Sequence, residues 1–286
     1  MQGFGPPMAT PFADDGSVDE AALRELVGWL EARGVDFLVP CGSNSEAELM
    51  TADERARVVE VVADEASVPV LAGTGHPGFE ETRRATADAA AAGADAALVV
   101  TPFYYEHDQA TLAAYYRELA DEVDLPVYLY SVPAYTDVRL TPETVAGLAD
   151  HPNVAGMKDS TGDLAAFGRT RRLTADADFD LLVGTAGVLA HALDAGADGG
   201  VLALANVAPE ACAEVVRRHR DGDREGALAA NADVLELNEA VTGRYGVPGL
   251  KAAMRAREAP AGRVRRPHRP ADEDAVAELR ALLDGL

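Results

Sequence analysis

Asn153-Val154-Ala155-Gly156-Met157-Lys158-Asp159-Ser160-Thr161-Gly162 is an apolar run that ends on a lysine and breaks into a polar turn. No polar residue interrupts it before Lys158, the pattern of a strand buried on both faces of a parallel sheet. Similar runs occupy residues 7–10, 36–40, 68–72, 96–101, 126–130, 179–183 and 200–204, eight runs in all before about residue 220. Amphipathic stretches separate them. Leu23, Leu26, Val27 and Leu30 form one helical stripe that Gly34 closes. Ser17-x-x-Glu20 and Thr51-x-x-Glu54 read as capping boxes, and Thr141-Pro142 as an N-cap followed by proline at the first helical position. Strand and helix alternating at this spacing predict an α/β fold, a (β/α)₈ TIM barrel over residues 1–220, in preference to an open doubly wound sheet. Over residues 221–286 the strand pattern vanishes, which predicts a C-terminal helical extension with a loop around residues 260–270.

Forty-eight acidic residues against 25 basic ones leave a formal charge of -23, which argues against nucleic acid as a partner. The acidic residues are spread along the chain and so predict a solvated surface. With lysine scarce and alanine abundant, they also predict a halophilic protein, in which salt screens self-repulsion. Unchanged secondary structure and activity after dialysis into low salt would contradict that expectation. Two cysteines are too few for a disulfide framework, and the first residues carry neither a basic nor an apolar leader. No apolar run is long enough to span a bilayer. These features predict a soluble, cytoplasmic protein without a membrane partner.

Lys158 and Lys251 are the only lysines, against 23 arginines. Arginine serves solubility and surface pairing, but its guanidinium stays protonated and cannot act as an amine nucleophile. A lysine kept at a strand end is therefore the first candidate for chemistry, with a leftover surface lysine as the plain alternative. Function in such barrels collects at the carboxyl ends of the strands. The turn Cys41-Gly42-Ser43-Asn44-Ser45-Glu46 offers hydroxyls and free N–H groups suited to a carboxylate, or else is an ordinary polar loop with a helix cap. The run that ends at Tyr130 neighbours the one that ends at Lys158, so the two residues are expected side by side. A phenol beside an imine-forming amine can shuttle protons, although packing is the commoner role of a tyrosine.

Gly73-Thr74-Gly75-His76-Pro77-Gly78 matches a dinucleotide fingerprint by letter, but it lies in the third unit and contains proline, so a mouth loop explains it as well. The six histidines never fall at metal-ligand spacing, and no metal is expected. Cys41 reads as a small buried hydrophobe and Lys251 as structural.

Together these residues resemble the dihydrodipicolinate synthase / N-acetylneuraminate lyase superfamily of class I pyruvate aldolases over nearly the whole chain. The resemblance rests on Pro7–Phe12, Gly42–Glu46, Leu49-Met50-Thr51 with Glu54-Arg55, Thr101–Tyr105, Tyr130–Pro133 and Gly156–Gly162. It implies that Lys158 forms a Schiff base with the C2 carbonyl of pyruvate and that Tyr130 relays protons, with no cofactor. Ser43 and Asn44 would hold the 2-oxo acid carboxylate. Ser160, Gly184, Val201 and Tyr135 would complete the substrate pocket. Tyr104 matches a tyrosine that crosses into a neighbouring subunit's site, which implies a homotetramer built as a dimer of dimers.

Departures from the synthase pattern point to a branch. Synthases typically read Gly-Thr-Thr-Gly-Glu where this chain has Gly42-Ser43-Asn44-Ser45-Glu46. They carry an arginine for the aldehyde substrate's carboxylate at the position of Tyr135, and a tyrosine cannot give that bidentate contact. The motif variants are similar to those of the 4-hydroxy-2-oxoglutarate aldolases, with 2-keto-3-deoxy sugar acid aldolases close behind. The expected reaction is thus cleavage or formation of a 4-hydroxy-2-oxo acid. The alternatives are dihydrodipicolinate synthesis from pyruvate and aspartate semialdehyde, and a catalytically silent barrel that binds a 2-oxo acid.

Overall fold

The computed structural model describes residues 1–286. Seven strands, β1 (Gly3–Gly5), β2 (Leu71–Gly73), β3 (Ala96–Val100), β4 (Val127–Ser131), β5 (Val154–Asp159), β6 (Asp180–Val183) and β7 (Gly199–Val201), form one parallel sheet. Their spatial order is β1-β7-β6-β5-β4-β3-β2, so each neighbouring pair from β2 to β7 is joined by a helical crossover. The architecture is α/β, with a curled parallel sheet dressed by helices.

Side chains alternate across this sheet and build two cores. Inward positions give a cluster that includes Leu98, Tyr128, Tyr130, Leu182 and Val201. Outward positions, among them Val127, Leu129, Met157, Leu181 and Val183, join the larger core under the helices. The helix Glu20–Glu31 shows how that outer layer forms. Its stripe of Leu23, Leu26, Val27 and Leu30 is fully buried, worth about 1.5–3 kcal/mol per side chain. Its N-cap is Asp19, which accepts from the Ala22 N–H at 3.0 Å; Ser17, expected there, instead bonds Asp15. The caps at Thr51 and Thr141 form as expected.

Two of the expected runs do not become regular strands. The sheet begins at Gly3–Gly5 rather than at residues 7–10, because Pro6 and Pro7 have no N–H to continue a ladder. Residues 7–10 are pinned instead by the buried amide of Asn206, which accepts from the Ala9 N–H and donates to the Pro7 carbonyl, both at 3.0 Å. Residues 36–40 form only isolated parallel bridges, Val39 to Pro7 and Leu38 to Val70. Their hydrogen bonds still reach both sheet edges: Asp36 N–H to the Phe4 carbonyl and Leu71 N–H to the Leu38 carbonyl, each 2.9 Å.

After β7 the chain is helical, with Pro209–Arg220, Arg224–Asp233, Leu235–Glu239, Gly246–Ala256 and Glu273–Asp284. A loop spans residues 257–272, close to the expected position. No helix is long and apolar enough to cross a membrane.

Candidate active site

Register places the two residues expected to meet. Tyr130 on β4 pairs with Lys158 on β5, and Lys158 pairs with Leu182 on β6, so all three side chains point to the sheet interior. The Lys158 Nζ stands 4.1 Å from the centroid of the Tyr130 ring, and Lys158 is only 4% exposed. Gly156, the inward position one step before Lys158, has no room for a side chain. A Cβ there would lie 2.5 Å from both the Tyr128 ring and the Asp180 carbonyl. Tyr128 closes the other end of this interior, bonded to Asp180 and to the Met1 amine. Burial, with the Asp180 carboxylate beside it, pushes the Tyr128 phenol far above its usual range. Tyrosines two residues apart on one strand thus have different places: Tyr128 is locked in a polar network, whereas Tyr130 faces a cavity.

That cavity has a volume of about 410 Å³. Tyr130, Val132, Leu98, Val100 and Phe103 line one side, and Gly42, Ser43 and Glu46 another. Tyr135 stands at its rim, largely exposed; partial burial, then the nearby Tyr130, raise its phenol. Gly246, Val247, Pro248 and His268 join the lining from the C-terminal helices and loop. Sequence periodicity does not single these four out. It also passes over Glu48, a lining carboxylate that burial holds above the usual range, with Arg55 opposing.

The turn Ser43–Ser45 is a single 3₁₀ turn bracketed by Cys41 and Glu46, both left-handed at φ 59° and φ 57°. Ser45 is fully buried and ties it together. Its Oγ accepts from the Gly42 N–H at 3.0 Å and donates to the Met8 carbonyl. The serine therefore tightens the turn. The N–H groups of Ser43 and Asn44 donate to no protein acceptor and remain free for an anion.

The other expected site residues fall into two groups. Ser160 and Gly184 are in direct contact beyond Lys158: a Cβ on Gly184 would lie 1.8 Å from the Ser160 Oγ, and the Gly184 N–H donates to the Asp159 carbonyl at 2.7 Å. Val201 is fully buried in the inner cluster. None of these three lines the cavity itself, nor do Asn44 and Lys158; Lys158 adjoins it through the Tyr130 ring. Tyr104 is outside it altogether, 86% exposed at φ 83° and packed edge-to-face on Tyr105. Gly73 and Gly75 are small because Cβ atoms there would lie 2.1 Å from the Cys41 carbonyl and 2.5 Å from the Val100 nitrogen. Close strand packing accounts for that glycine pair. Burial pushes the Cys41 thiol up to about 12, which leaves it a buried thiol.

The whole chain, residues 1–286, matches the model of the dihydrodipicolinate synthetase family. A 4-hydroxy-tetrahydrodipicolinate synthase of Methanothrix thermoacetophila is 38% identical over 99% of this chain and 96% of its own. An uncharacterized DapA-like lyase of Halobacterium salinarum is 39% identical over 100% of this chain and 94% of its own. Among solved structures, an Escherichia coli K12 prophage protein of the dihydrodipicolinic acid synthase family, in complex with pyruvate, superposes with a TM-score of 0.94. It is 33% identical, covering 99% of this chain and 98% of that one. The relatives that carry a specific reaction name favour the synthase over the aldolase branch that the motif variants suggest. The chain belongs to the dihydrodipicolinate synthetase family, pyruvate-dependent enzymes that make or break carbon–carbon bonds.

Proposed function

We propose that this protein joins pyruvate to an aldehyde, or reverses that step, through a Schiff base on Lys158. The observation that carries the reading is the lysine amine held over the ring of Tyr130, which lines a cavity together with Ser43, whose N–H has no protein acceptor. The free Ser43 and Asn44 N–H groups take the carboxylate of pyruvate, and the Lys158 amine adds to its C2 carbonyl. Loss of water gives the iminium, which draws electrons from C3. Deprotonated at C3, the resulting enamine attacks the aldehyde; in reverse, the C4 hydroxyl gives up its proton and the bond to C3 breaks. Tyr130 moves these protons. Residues 36–40, bonded to both sheet edges, act as the eighth stave that closes a (β/α)₈ barrel around the site.

Synthesis of 4-hydroxy-tetrahydrodipicolinate is the first assignment to test, because relatives at 36% and 38% identity carry that name. One observation favours the second reading, cleavage of a 4-hydroxy-2-oxo acid. Tyr135 occupies the rim position, and no arginine is among the residues lining the cavity. A panel decides between them: pyruvate consumption with aspartate semialdehyde, against pyruvate release from 4-hydroxy-2-oxoglutarate and 2-keto-3-deoxy sugar acids. Turnover confined to aspartate semialdehyde refutes the cleavage reading, and turnover confined to the others refutes the synthase. No turnover on any of them leaves a binding barrel.

The exposed Tyr104–Tyr105 pair supports the assembly that the family resemblance implies, a tetramer in which Tyr104 enters a neighbour's site. Light scattering checks the assembly, and a Tyr104→Ala protein that assembles but loses turnover supports the shared site.

A further inference from the structure

The carboxylate turn is held from the far end of the chain. A left-handed conformation is costly for a residue with a Cβ, so it persists where surrounding contacts hold it. At Glu46 those contacts are specific. Its side chain is fully buried; Oε2 accepts from the Lys251 Nζ at 2.5 Å, and Oε1 accepts from the Arg265 backbone N–H at 2.8 Å. The same Oε1 lies 3.1 Å from the His268 Nδ1. Lys251, also fully buried, directs its remaining protons to the carbonyls of Thr10 and Arg263, at 2.7 Å and 2.6 Å. Three oxygens therefore converge on one nitrogen, with the Phe12 ring 4.6 Å away. A planar guanidinium spreads its donors over several atoms and does not fit three acceptors around a point. That geometry accounts for a lysine in a chain that otherwise uses arginine.

Stability does not account for the pair. Burial lowers the Lys251 ammonium to about 8 despite the attraction of Glu46, with Arg255 adding to the lowering. An ion pair whose desolvation outweighs its attraction is a poor stabilising device, although losing one partner is costly. Its position offers another role. Gly246, Val247 and Pro248, which begin the helix carrying Lys251, line the cavity together with His268 and Glu46. One buried carboxylate thus joins the turn, the C-terminal helix and the loop at a single point.

We propose that Lys251 is a positioning residue: through Glu46 it holds the Ser43 and Asn44 N–H groups in the arrangement that receives the carboxylate of the 2-oxo acid. This rests on the reading that the turn takes that carboxylate. Without the tie, Glu46 relaxes out of its left-handed conformation and the two N–H groups turn away.

The test compares wild type with a Lys251→Met/Glu46→Gln double variant, which removes both buried charges so that neither is stranded. Borohydride trapping over a pyruvate titration gives the half-saturating concentration and the extent of labelling of Lys158. The proposal predicts a half-saturating pyruvate raised about tenfold, the equivalent of about 1.4 kcal/mol, with labelling at saturation within threefold of wild type. A half-saturating concentration within twofold of wild type overturns it, whatever the melting temperature does. If the double variant does not fold, Glu46→Gln alone decides: a rise of threefold or more supports the tie, and a smaller change refutes it. Wild type that forms no pyruvate adduct refutes the pyruvate reading itself, and this inference falls with it.

Discussion

Lys158 and Lys251 are both buried, yet their surroundings differ in kind. Lys251 is enclosed by a carboxylate, two carbonyls and an aromatic ring, and it forms the only lysine ion pair in the molecule. Lys158 has beside it the Tyr130 ring, which lines the cavity, and no carboxylate is paired to it. An amine that must attack a carbonyl needs a free lone pair, and a nearby carboxylate would hold the proton on. An amine that must hold a turn needs every proton engaged. The same residue type is thus kept for opposite reasons, and burial alone does not separate them.

The sharpest way to break the comparison is to exchange each lysine for a residue that keeps one of its properties. Lys158→Arg keeps the charge and removes the nucleophile; turnover is expected to fall by about 10³-fold or more, with the melting temperature nearly unchanged. Tyr130→Phe keeps the ring under Lys158 and removes the hydroxyl. Its turnover is expected to fall by about 10²–10⁴-fold, while borohydride with pyruvate still labels Lys158; turnover close to wild type would remove the tyrosine from the proton path. Lys251→Met should lower stability as well as weaken pyruvate binding, the former by about 3–5 kcal/mol in denaturant unfolding, because Glu46 is left buried and unpaired. If Lys251→Met unfolds like wild type, the pair is not the anchor described above.

Smaller effects sharpen the picture around Lys251. Ser45→Gly loses the bonds to Gly42 and Met8 and leaves the Gly42 N–H without its partner, so a loss of about 1–3 kcal/mol is expected in the same unfolding experiment. Arg265, which donates its backbone N–H to Glu46, also holds Glu54 through two side-chain bonds. Arg265 lowers the Glu54 carboxyl from 4.5 to about 2. A carboxyl depressed on folding contributes stability that is fully present above its unfolded value and is lost as pH falls through its folded value. The acid limb between about pH 4.5 and pH 2 should therefore flatten in Glu54→Gln, as read by melting temperature against pH. An acid limb as steep as wild type would contradict the pairing.

The residues that local pattern can specify were legible. Apolar runs located β3 to β6 within a residue or two, and adjacent strand ends correctly placed Tyr130 against Lys158. Pattern failed where backbone chemistry or distance intervened. Prolines at positions 6, 7, 40 and 69 broke the ladders around residues 7–10 and 36–40, so apolar runs there became bridges rather than strands. Asp19 displaced Ser17 as a cap, a choice between two good cap residues that spacing alone does not settle. The contribution of Val247, Pro248 and His268 to the cavity, and the Glu46–Lys251 pair across 205 residues, left no periodic trace. Scarcity marked both lysines, but only the fold shows which one is engaged.

Reduction with borohydride in the presence of pyruvate, followed by peptide mass mapping, tests the central claim most directly. The account predicts a single 1-carboxyethyl adduct on Lys158 and an unmodified Lys251. An adduct on Lys251, or no adduct on Lys158 at saturating pyruvate, would contradict it.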